Sequence, residues 1–130
     1  MAESDLPKEV RDLVIRSLHS MEEIEVLLLL AGEPTGLRLE EIRRRLRLPA
    51  SSLPLASITR LVGSGFLAVD AADELRFCYG VKDAATQRAV ELLAIAYNER
   101  PVTLVRLVYA RPSAAQSFAD AFRIKKDDEP

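Results

Sequence analysis

Gly65-Phe66-Leu67-Ala68-Val69-Asp70-Ala71-Ala72-Asp73-Glu74-Leu75-Arg76-Phe77-Cys78-Tyr79 is the stretch on which the reading of the fold turns. Phe66–Val69 and Leu75–Tyr79 are short runs of strand-type residues, and the turn Asp70–Glu74 parts them. Branched and aromatic side chains suit a pleated, half-buried surface, and Asp suits the turn, so the stretch reads as a β-hairpin. Gly65 stands just before it, where a helix ending in a left-handed residue needs glycine.

Upstream the apolar spacing is helical. Leu55, Ile58, Leu61 and Val62 form one stripe, predicting a helix from about Leu53 to Ser64 with Pro54 in its first turn. Leu48-Pro49-Ala50-Ser51-Ser52 is a tight connection back to a short amphipathic helix, Glu40–Leu46, with Leu39, Ile42 and Leu46 inward. Leu37–Leu39 suits a brief strand. Before Gly32-Glu33-Pro34 lies an almost wholly apolar run, Ile24–Leu30, which belongs at the centre of a core. Its helix starts with Ser20 and, three residues on, Glu23, the capping-box spacing. Val10, Leu13, Val14 and Leu18 predict a further helix beginning near Pro7.

Downstream, Asp83 is a good N-cap for a helix running to about Asn98, with Ala85, Ala89, Leu92, Leu93, Ala96 and Tyr97 on its apolar face. Residues 102–109 fit either a buried helix beginning at Pro101 or a strand. Ser113 then caps an expected helix Ala114–Arg123, with Phe118 and Phe122 four apart. The expected organisation is an N-terminal helix in residues 1–19, a module in 20–80, a helical extension in 81–124 and a disordered charged tail in 125–130. The fold class is mostly α with a small β-hairpin, an α+β chain.

The order helix, strand, helix, helix, hairpin over residues 20–80 resembles the winged helix-turn-helix modules of bacterial MarR-like transcription regulators. Ile24–Leu30, Leu39/Ile42/Leu46, Ile58/Leu61/Val62 and Gly65-Phe66-Leu67 carry the resemblance, with Phe77 and Tyr79 on the returning strand. The C-terminal part, with Tyr97, Arg106 and Phe118–Arg123, resembles that of a bacterial family to which no function attaches. The module resemblance implies DNA binding, with the helix after the turn in the major groove. Ser51, Ser52, Ser57, Thr59, Arg60 and Ser64 would then face outward, and Arg60 alone could grip a guanine edge bidentately. Arg43, Arg44, Arg45 and Arg47 would hold phosphates, and Arg76 on the hairpin would add a contact.

Charge supports this in one region only. The 130-residue chain has net charge −2, yet residues 34–66 hold six basic side chains against two acidic ones. Against it, Glu40 and Glu41 can pair with the arginines, and Asp70, Asp73 and Glu74 put acid at the hairpin tip. A protein-interaction module without DNA binding is therefore the alternative expectation. A homodimer through residues 83–123 is expected from their apolar density.

The remaining chemistry is sparse. One histidine, His19, and one cysteine, Cys78, make no transition-metal cluster, and no glycine-rich phosphate loop or nucleophile elbow occurs. The expectation is a non-enzyme without cofactor. The N-terminus has no apolar signal core, and the longest apolar run, Val26–Gly32, is far shorter than a bilayer span, so a cytoplasmic location is expected and no membrane partner.

Overall fold

The computed structural model describes residues 6–73 and 75–110. The chain is mostly helical with a small three-stranded antiparallel sheet. Its elements are α1 (Lys8–Ser17), α2 (Met21–Ala31), β1 (Leu37–Arg38), α3 (Leu39–Arg45), α4 (Leu55–Gly63), β2 (Leu67–Val69), β3 (Arg76–Tyr79), α5 (Ala84–Glu99) and α6 (Pro101–Ala110). The sheet order is β1-β3-β2. The hairpin pairs Leu67 with Tyr79 and Val69 with Phe77, and β1 adds Leu37 opposite Phe77 and Arg38 opposite Arg76.

The helix ends follow the residues that mark them. Ser20 Oγ accepts the Glu23 N–H at 3.1 Å, while a Glu23 carboxylate oxygen accepts the His19 N–H at 3.0 Å. The first of these bonds satisfies a donor that the first turn leaves orphaned, and the second ties the residue before the cap to the helix. Asp83 caps α5 by accepting the Thr86 N–H at 2.8 Å. At the end of α4, Gly65 takes φ +87°, with Gly65 N–H bonded to Val62 and Phe66 N–H to the Leu61 carbonyl. This Schellman closure turns the chain from helix into β2. The end of α3 closes the same way, through Arg47 N–H to Arg44 and Leu48 N–H to Arg43, but the left-handed residue there is Arg47, at φ +59°.

One apolar cluster joins everything. Ile24, Leu27 and Leu30 of α2 are fully buried, together with Ile42, Ile58, Leu61, Leu93 and Leu104. α2 packs against α4 and β3, and α1 packs against both α5 and α6. The N-terminal helix is thus a layer of the C-terminal helices rather than a separate appendage.

Several expectations are corrected. α4 begins at Leu55, because Pro54 sits at the cap rather than in the first turn. Leu55 is 52% exposed instead of joining the inward stripe, and Ala85 is exposed on α5. The strands are trimmed to Leu67–Val69 and Arg76–Tyr79, leaving Leu75 in the turn and 66% exposed. Residues 101–110 are helix: Leu104 and Val108, four apart, are buried and Pro101 occupies the first position, where no N–H is needed. The expected helix Ala114–Arg123 and the tail 125–130 lie outside the described residues. No helix among the described residues is long and apolar enough to cross a membrane.

Candidate interaction surface

Ten residues were singled out from the sequence as a DNA-facing set, and the fold separates them into two groups. The first group is consumed by the protein itself. Ser57 is buried, 6% exposed, because it stands four positions before buried Leu61 on the inner side of α4. Its hydroxyl donates to Glu22 Oε1 at 2.5 Å and ties α4 to α2, so the expectation that it faces outward is wrong. Arg60 stands 3.1 Å from Glu23, whose carboxylate is 5% exposed; the guanidinium covers a buried charge. Arg43 is only 14% exposed. It donates to Glu40 at 2.7 Å and to the Leu48 carbonyl at 2.7 Å, stapling α3 to the following turn. That hydrogen bond holds the Glu40 carboxyl below the usual carboxylate range. Arg45 lies 3.6 Å from Glu33. Arg76 reaches back along the sheet to the carbonyls of Gly36 and Thr35, at 3.3 and 3.4 Å.

The second group stays exposed: Arg44, Arg47, Ser51, Ser52 and Thr59. Neither Arg44 nor Arg47 is in an ion pair among the described residues.

Asp70 and Asp73 of the hairpin tip are engaged within the protein. Register puts Arg38 directly opposite Arg76, a like-charge pair that would be unfavourable alone. Asp73 lies between them, accepting from Arg38 at 2.5 Å and standing 3.7 Å from Arg76. Its other oxygen accepts the Leu75 N–H at 3.2 Å, and Asp70 accepts the Ala72 N–H at 2.8 Å. Both of these carboxylates are spent on building the turn, and the exposed side chains among the described residues of the tip are Ala71, Ala72 and Leu75. Sequence reasoning missed Arg38; the like-charge register opposite Arg76 is the signal that needed an acid between them.

It also missed the apolar surface. Leu53 and Leu55, at the start of α4, are 46% and 52% exposed, and Val69 and Leu75 of the hairpin are 44% and 66% exposed. Ala56 and Gly63 complete the outward side of α4 with Thr59. Apolar surface of this kind is the material of protein interfaces rather than of phosphate contacts.

Behind α3, Tyr97 of α5 donates its hydroxyl to Glu25 of α2 at 2.7 Å. This bond, with burial and the Glu25 charge, pushes the phenol up to about 12. The pair floors an open depression that Arg45 and Arg47 overlook. Among the described residues no group of three or more His, Cys, Asp or Glu side chains is placed to hold a metal ion.

No protein-family model, curated protein or solved structure matches this chain.

Proposed function

We propose that the chain is a non-catalytic binding module of the winged-helix type that docks a protein partner through α4 and the hairpin. The winged-helix reading is supported by the order α2-β1-α3-α4-β2-β3 and by β1 pairing with the returning strand of the hairpin. Fold does not fix function, so the surface must decide. The observation that carries protein docking is the outward side of α4. It offers Leu55, Ala56 and Thr59, with Leu53 just ahead of the Pro54 cap, while Arg60, the one side chain able to grip a guanine edge bidentately, is paired with Glu23. The hairpin has exposed apolar side chains of its own, Val69 and Leu75.

A second reading, DNA binding, draws on Arg44 and Arg47 beside the exposed Ser51 and Ser52. Two phosphate contacts would be its electrostatic content, where four arginines in sequence suggested more.

The test uses full-length protein and an L53D/L55D variant as baits in extract of the source cells. A partner held by the wild type is purified and titrated against both forms. Docking through α4 predicts at least a tenfold weaker complex for the variant, since each exposed leucine contributes on the order of 1 kcal/mol when covered. Equal affinity of both forms for every captured protein would overturn the reading.

A further inference from the structure

A depression of about 440 Å³ opens between α2, the closure of α3 and α5, a volume within the roughly 300–1,000 Å³ of small-molecule sites. Leu28 and Leu29 of α2, Leu46 of the α3 closure and Ala94 of α5 are its apolar lining. Glu25 enters the same lining from α2 and Arg47 from the α3 closure. We infer that this depression binds a free α-amino acid with an apolar side chain, its ammonium on the Glu25 carboxylate and its carboxylate on the Arg47 guanidinium.

Opposite charges left unspent in one cavity carry the inference. Among the described residues neither Glu25 nor Arg47 is in an ion pair, with the other or with any third side chain. The Tyr97 hydroxyl donates to Glu25 Oε2 at 2.7 Å, which fixes the carboxylate and keeps Oε1 as an acceptor. A ligand with one charge would cover the opposite charge of the cavity without answering it, whereas a zwitterion answers both. The planar guanidinium of Arg47 matches a carboxylate with two parallel donors. Arg45, in the same lining, is already 3.6 Å from Glu33.

The backbone agrees. Arg47 holds φ +59°, in the same kind of helix closure that α4 makes with Gly65 at φ +87°. The chain thus keeps a guanidinium where a Cβ is disfavoured, and strain of this kind gathers at ligand sites. The four apolar lining residues take the ligand's side chain, where a polar one would lose its water. The inference is independent of what α4 binds.

Calorimetric titration of the full-length protein with L-leucine, L-isoleucine, L-valine, L-methionine and L-phenylalanine tests it. At least one should bind with a Kd below about 1 mM. Its analogues lacking the amino group or the carboxylate should bind at least tenfold more weakly. R47G and E25Q should each lose at least tenfold, the effect of one charged hydrogen bond. Neither loss would reflect unfolding: R47G relieves the left-handed backbone and should melt higher, and E25Q keeps a carbonyl oxygen for the Tyr97 hydroxyl. Failure of all five amino acids to reach that affinity would overturn the proposal. So would a loss smaller than tenfold for either analogue or in either variant.

Discussion

Replacing Arg60 by alanine should cost stability rather than DNA affinity. Arg60 Nε lies 3.1 Å from a Glu23 carboxylate oxygen; the Glu23 side chain is 5% exposed and the Arg60 side chain 50%. At that distance the Coulomb attraction is about 1.3 kcal/mol in a water-like dielectric and about 5 kcal/mol at an effective dielectric of 20. The half-exposed guanidinium keeps the net value near the lower bound, above the 0.2–1 kcal/mol typical of exposed pairs and below the roughly 3–5 kcal/mol of breaking a fully buried one. Glu23 retains the His19 N–H in the variant, which further limits the loss. R60A is therefore expected to lose about 1–2 kcal/mol in urea unfolding, or roughly 4–8 °C in Tm. The double-mutant cycle with E23Q should return a coupling near 1 kcal/mol. A cycle additive to within about 0.3 kcal/mol would refute the clamp. If R60A also weakened duplex binding tenfold at unchanged stability, Arg60 would be a base reader after all.

Three further outcomes follow from local geometry. Gly36 has φ +76°, and an added Cβ would lie 2.6 Å from the Phe77 carbonyl oxygen and 2.7 Å from Cys78 Sγ. G36A should thus lose about 2 kcal/mol or more in chemical denaturation, since the left-handed conformation alone costs an alanine roughly 1 kcal/mol. R47G should do the reverse: glycine relieves the φ +59° of the α3 closure, so Tm should rise, corresponding to about 1 kcal/mol. Alkaline difference spectra should show Tyr97 among the last phenols to ionise, with a step near pH 12 that Y97F removes. Because its folded pKa is raised, by the Glu25 hydrogen bond first, the stability gained by Tyr97 over phenylalanine is fully present below pH 10 and is lost as pH rises through 12.

The elements were legible because each is written locally. Ser20 with Glu23, Asp83, and Gly65 announced their caps, and the apolar spacing of Ile24–Leu30 and of Ile58/Leu61 announced buried helices. Residues 101–110 were ambiguous because a dense apolar run has no distinctive period; burial of Leu104 and Val108 against α1 and α5 decides it, and that is tertiary information. The surface was far less legible. Ser57 and Thr59 differ by two positions, yet a 100° step per residue puts one against Glu22 and the other in solvent. Arginines look alike in a string: Arg43 is held by Glu40 and the Leu48 carbonyl, Arg60 by Glu23 from α2, and Arg44 by no ion pair among the described residues. The exposure of Leu53 and Leu55 depends on where Pro54 ends the turn, which apolar spacing alone misplaced by two residues.

The most direct measurement of whether α4 reads protein or nucleic acid is fluorescence anisotropy of a random duplex against salt, for the wild type and R44A/R47A. If α4 docks protein, submicromolar binding is absent even at 50 mM salt, and the two forms are indistinguishable. DNA binding would contradict this with a wild-type slope of about −1.8 in log K against log salt, the value for two phosphate contacts, and roughly a twelvefold loss between 50 and 200 mM that vanishes in the variant.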